Sequence, residues 1–302
     1  IAFAEDLVFL MEPADSPDAP PARPAPAATG RGRLESKLVG RDREVHQLQA
    51  RLERVRTGDG GAVLLAGEAG IGKSRLLSDL ARAAEAQNFR VVRGRALFGG
   101  GPAYHPWRQL LGEALDAPSL GRAEGLENFL AAHPDFAGVR AAGLRRLLQL
   151  DAGEANDLSG PDQLWEAAVA ALQAISLRRR LLAILDDLHW ADLSSLQLFR
   201  FAAAQARGQK WLLIGAYRPE EAEGEGPQVS VAEVTRLLGR EEGVEHVQLE
   251  RLDRAATAAM VDDLLAEQAA GTTIGERIFN ETEGNPPFIL EVAKLVAASE
   301  GR

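Results

Sequence analysis

Eight consecutive residues, Gly67-Glu68-Ala69-Gly70-Ile71-Gly72-Lys73-Ser74, follow the pattern G-x-x-x-x-G-K-[ST]. The chemistry of that pattern is phosphate binding. Gly67 and Gly72 supply backbone dihedrals closed to other residues, and Gly70 keeps the loop slim beside a ligand. The loop's N–H groups then point inward as an anion nest, and the dipole of the next helix adds to them. Lys73 would reach the β- and γ-phosphates as a point charge, and Ser74 would set its hydroxyl on Mg²⁺. Lysine usage sharpens the reading. The chain has four lysines, Lys37, Lys73, Lys210 and Lys294, and otherwise uses Arg as its base. A Lys stands where the loop needs one.

A second constellation lies downstream. The apolar run Leu181-Leu182-Ala183-Ile184-Leu185 ends in Asp186-Asp187. A carboxylate at the carboxyl end of a core strand sits beside the phosphate loop in an open parallel sheet. Asp186 would hold Mg²⁺ with Ser74, directly or through water. Asp187 would orient or deprotonate an attacking water. Strand-ending aspartates also cap turns; the loop upstream favours the chemical role. Arg218, just past another apolar run, is placed to sense a γ-phosphate. Trp190 reads as a packing residue, and His189 as exposed or satisfied. Five scattered His and no Cys leave no metal-ligand spacing of the zinc type. Arg178-Arg179-Arg180 reads as solvation of the turn before the apolar run rather than as a nucleic-acid patch.

The elements that must position these groups are legible as periodicities. Ala62 to Ala66 form an apolar strand ahead of the loop, and Leu76, Leu77, Leu80 and Ala84 mark the helix after it. Val45, Leu48, Leu52 and Val55 mark a helix ending near Gly58. Further strands are expected at Phe89 to Gly94, Trp211 to Tyr217 and Val244 to Leu249. Trp107 to about Leu150 reads as helical, interrupted at Pro118 and Pro134. Pro161 opens the next helix, and others are expected at Ser194 to Arg207 and Val231 to Leu238. From Leu252 the pattern is helical only, broken at Gly284-Asn285-Pro286-Pro287. Alternating strands and helices followed by helices alone imply an α/β fold with a parallel sheet between helices and a small all-helical lid. The expected division is a Pro/Ala-rich linker, with a possible tail of an upstream domain, over 1–37. A phosphate-loop core follows over 38–250, and a lid over 251–302.

Composition narrows the class. The chain has 302 residues, 46% of them hydrophobic, and a net charge of −10. That is enough for a large core, and it argues against a DNA-wrapping surface. No cysteine means no disulfide, which leans towards the cytoplasm. No apolar run approaches a membrane span, and residues 1–11 lack a signal-peptide pattern. Ile1 and the helical pattern at the end read as a piece of something longer, or as a processed product.

Four stretches together resemble the AAA-like, STAND-class ATPases, signal-transducing ATPases found in large LuxR-type transcriptional regulators and multidomain bacterial adenylate cyclases and kinases. They are Leu38-Val39-Gly40-Arg41, Gly67 to Arg75, Asp186 to Asp192, and Gly284-Asn285-Pro286-Pro287-Phe288. Tyr104-His105-Pro106-Trp107 is similar to a further segment of that family. The resemblance implies ATP and Mg²⁺ as ligands. Val39, Gly40 and Arg41 would line the adenine side, and the loop residues, Ala69, Ile71 and Arg75 included, would hold phosphates. Asp186 would serve the metal, Asp187 and Lys73 hydrolysis, and Arg218 would be the sensor. Pro286 would touch the nucleotide from the lid. Asp42 stands where the family has a longer acid, so it is left out of the site. The implied function is a slow ATP-hydrolysing switch of a larger regulator. ATP or ADP and flanking domains would be its partners, with room for nucleotide-dependent self-association and no direct binding of nucleic acid or membrane. The alternatives are an oligomeric DNA-remodelling or loading ATPase and a non-hydrolysing scaffold.

Overall fold

The computed structural model describes residues 38–99, 101–115, 122–150, 160–221, 236, 243–265 and 272–300. The linker read over 1–37, the break at Pro118 and the helix expected at Val231 to Leu238 lie outside the residues described, except Arg236, which is helical.

Five strands carry the site: β1 (Gly61–Gly67), β2 (Arg90–Arg95), β3 (Leu181–Asp186), β4 (Trp211–Tyr217) and β5 (Val244–Leu249). They form one sheet in the order β2-β3-β4-β1-β5. Every pairing is parallel. The runs of β1, β3 and β4 are continuous in apolar residues because both faces are covered. Val63 and Leu65 of β1, with Leu212 and Ile214 of β4, pack under α1 (Asp42–Arg56) and α2 (Lys73–Ala86). Ala62 and Leu64, with Ala183, Leu185 and Leu213, face the other way. There they meet α3 (His105–Ala114), α4 (Arg122–Ala132), α5 (Val139–Leu147), α6 (Pro161–Arg178) and α7 (Leu193–Gln205).

Local signals explain the helices. In α1, Leu48, Leu52 and Val55 recur on one buried face, with Asp42 and Glu44 in the first turn and Arg54 and Arg56 in the last. That charge order complements the helix dipole. Pro134 falls in the break between α4 and α5. Asp192 caps α7, accepting from Ser195 N–H. Trp107 of α3 is fully buried, and its indole N–H donates to the Ser195 carbonyl at 3.0 Å. The strand expected to end at Gly94 runs one residue further, to Arg95.

After β5 the chain is helical: α8 (Arg254–Leu264), α9 (Thr272–Thr282) and α10 (Pro286–Glu300). They surround a small separate core of Leu252, Met260, Val261, Leu265, Ile278 and Ile289, against which Val39 also packs. This is the all-helical lid on an α/β phosphate-loop core. Among the described residues, no helix is long and apolar enough to cross a membrane.

Candidate nucleotide site

β1 ends at Gly67 and α2 begins at Lys73, so the glycine-rich segment is the turn between a central strand and a helix N-terminus. Gly72 has φ +107°, which a side chain rarely tolerates, and it lets α2 start at once. The Lys73 ammonium folds back to donate to the Gly67 carbonyl and, at 2.8 Å, to the Glu68 carbonyl. Burial, and then the charge of Arg218, hold its pKa below the ordinary lysine value, while Glu220, Asp186 and Asp187 oppose the drop.

Asp186 stands at the tip of β3. The sheet order inserts β4 between β1 and β3, so the two strand ends are not neighbours in the sheet. The helix closes the gap, because Ser74 is on the first turn of α2, and its Oγ donates to Asp186 Oδ2 at 3.3 Å. Asp186 Oδ1 accepts the Asp187 N–H at 2.9 Å. Burial, and secondarily Asp187, push the Asp186 carboxyl above the usual carboxylate range. A hydroxyl beside one carboxylate is an oxygen donor set that fits a hard cation keeping phosphate and water ligands, as Mg²⁺ does.

Asp187 is buried, at φ +56°. Its Oδ2 accepts from Arg95 Nε at 2.6 Å, a partner on edge strand β2. Arg218 lies just past β4, pairs with Glu221, and places its guanidinium carbon 5.1 Å from the centre of the Trp190 ring. Trp190 therefore does pack, but its indole N–H also donates to Glu221 Oε2 at 2.9 Å. The reading of His189 as exposed or satisfied needs correction. Its side chain is fully buried, and neither ring nitrogen has a hydrogen-bond partner among the described residues. Glu221 Oε2 and Asp187 Oδ1 stand 3.6 and 3.9 Å from Nε2. Burial lowers the imidazole pKa.

On the other flank of the loop, a cavity of about 300 Å³ is lined by Val39, Arg41, Gly70, Ile71, Gly72 and Arg75, and from the lid by Pro286. Leu38, Leu252, Met260, Pro287 and Leu290 complete its apolar wall. Arg41 is buried, its pKa lowered by that burial, and it donates to the Ile71 carbonyl at 3.1 Å. Gly40 does not line the cavity. A Cβ there would stand 2.4 Å from Ala256 Cβ, so Gly40 presses the segment before α1 onto α8. Ala69 turns its N–H to the Glu220 carboxylate, at 2.8 Å.

Sequence reasoning missed Arg95, Glu220 and Glu221. Arg95 lies one residue beyond the expected strand, and the two glutamates fall in none of the expected elements. Arg178, Arg179 and Arg180 do more than meet solvent: they donate to the carbonyls of Ala132, Asn88 and Arg56.

Residues 37–214, more than half of the chain, match the family described as AAA ATPase domain. The chain belongs to that AAA ATPase domain family. An uncharacterized protein of Rhizobium meliloti (strain 1021) is 29% identical over 218 residues, 69% of this chain and 21% of that protein. The chain thus spans about a fifth of that relative's length. Among solved structures, the Drosophila ORC bound to DNA aligns with a TM-score of 0.51 at 10% identity, over 98% of this chain and 69% of that one. A STAND protein with a tetratricopeptide repeat sensor from Pyrococcus horikoshii aligns at 0.46 and 18%, over 84% of this chain and 29% of that one. At 10% identity the likeness to the ORC structure is one of fold alone. The AAA ATPase domain family implies nucleotide binding, typically with a divalent metal.

Proposed function

We propose that this AAA ATPase domain is an ATP-binding, slowly hydrolysing switch of a larger STAND-class signalling protein. In this reading 38–250 is the core, 251–302 the lid and 1–37 a linker. The observation that carries it is the convergence of two sequence-distant groups, Asp186 and Pro286, on one loop. Ser74 meets Asp186 at 3.3 Å, Lys73 is buried at the loop, and Gly70, Ile71 and Gly72 share one cavity with Pro286 of the lid. The apolar cavity suits a base, and the loop amides with Lys73 suit the phosphates. Ser74 and Asp186 would hold Mg²⁺, which when bound neutralises charge on the β- and γ-phosphates.

Asp187 would take the proton of the attacking water. Its Oδ2 is engaged by Arg95, so Asp187 must leave or share that ion pair to do so. Slow turnover is what such a held base supports. Arg218 would meet the γ-phosphate, and the lid would report which nucleotide is bound through its contact at Pro286. Asp187→Asn is expected to keep nucleotide affinity within about twofold while phosphate release falls about a hundredfold or more. Single-turnover release measured beside calorimetric binding checks this. Release at the wild-type rate would remove Asp187 from the chemistry.

A further inference from the structure

The short turn after β4, Pro219–Glu221, brings two successive carboxylates onto a loop amide and onto Arg218. Glu220 Oε1 accepts the Ala69 N–H at 2.8 Å, across a separation of 151 residues. Ala69 lies at the β1 end of the loop. Lys73 folds back to that same end, onto the carbonyls of Gly67 and Glu68. The ammonium that reaches β- and γ-phosphates and the amide held by Glu220 are therefore neighbours. Among carboxylates, Glu220 is the foremost in offsetting the burial of Lys73. The next residue, Glu221, takes up Arg218 and accepts from the Trp190 indole.

Both donor groups, the loop amide and the guanidinium, are thus bound to anions of the chain itself. A γ-phosphate brings its own negative charge to the same place. Two anions cannot share one set of donors without strong repulsion, so one must leave. A diphosphate lacks the competing group and leaves the glutamates seated.

We propose that Glu220 and Glu221 are specificity-determining residues that compete with the terminal phosphate. They would set this site's preference between nucleoside di- and triphosphate, and their release would be felt at Trp190. The inference rests on the nucleotide-binding reading above. Tyr217, the last residue of β4, pairs with Ala66 of β1, so the strap is tied to the strand that ends in the loop. Displacing it changes the surroundings of Arg218, Trp190 and His189 together, because Glu221 touches all three.

The test is calorimetric affinity for ADP and for a β,γ-methylene ATP analogue, with Mg²⁺, in the wild-type chain, Glu220→Ala, Glu221→Ala and the double variant. Glu220→Gln serves as a second, size-conserving probe of the charge. The ratio of triphosphate to diphosphate affinity is expected to rise about tenfold in Glu220→Ala, and further in the double variant. The triphosphate analogue, and not ADP, is expected to shift the Trp190 emission, read as the difference from Trp190→Phe. A chain that binds both nucleotides with a ratio none of the substitutions moves overturns the competition. Unchanged Trp190 emission on triphosphate binding overturns the report to Trp190. A chain that binds neither nucleotide overturns the nucleotide reading itself, and the strap with it.

Discussion

Burial and the adjacent Asp187 hold the Asp186 carboxyl above the ordinary carboxylate range. The folded chain therefore keeps a proton on Asp186 at pH values where the unfolded chain has lost it. Between the ordinary and the raised pKa the native state binds more protons, so this group's contribution to stability falls as pH rises through that window and stays low above it. Under the proposal that Asp186 holds Mg²⁺, that cost at neutral pH would be offset by the bound cation. Asp186→Asn is expected to raise Tm at pH 7 without metal and to flatten the dependence of Tm on pH above the acid range. It is also expected to abolish the gain in nucleotide affinity on adding Mg²⁺. Thermal melts across pH, paired with calorimetry, check this. A lower metal-free Tm would mean that Asp186 serves the fold through Ser74 and the Asp187 amide instead.

Among the elements, the loop and the buried strands were legible because their signals are local. Ala62 to Ala66 and Leu181 to Leu185 read as strands since both sheet faces are covered. Gly284-Asn285-Pro286 marked the start of α10, and Pro286 does open it. Strand order was not legible, because nothing in Trp211 to Tyr217 says that it lies between β1 and β3. The pairs Arg95–Asp187 and Glu220–Ala69 were hidden for the same reason, since they join segments 92 and 151 residues apart. Nor does any pattern announce that the lid touches the loop. Gly70 has φ +73°, and a Cβ there would stand 2.5 Å from Pro287 Cγ. Gly70→Ala is expected to destabilise by about 1–3 kcal/mol and to weaken nucleotide binding. Gly58→Ala is the control: its φ is +88° with nothing within 4 Å, so it carries backbone strain alone. Melts and affinities of the two variants separate the contact from the strain. Equal effects would leave the loop–lid contact without a role.

At the scale of the whole molecule, an α/β core and a helical lid with its own small core together wall a cavity of about 300 Å³. In the proposed reading, a base held there would touch Val39 and Arg41 ahead of α1, the loop, and Pro286 at once. Binding would then be worth more with the lid in place, which is how a lid would read a nucleotide. Lys73 joins these parts electrostatically, being the buried cation at the meeting point of the loop, Asp186 and the strap. The most direct measurement is calorimetric titration of Mg²⁺ and ATP into the chain and into Lys73→Ala, with circular dichroism to check the fold. Saturable binding by the chain is expected, and for Lys73→Ala a loss of about a hundredfold or more with an unchanged spectrum. Equal affinity in the two would remove Lys73 from nucleotide binding.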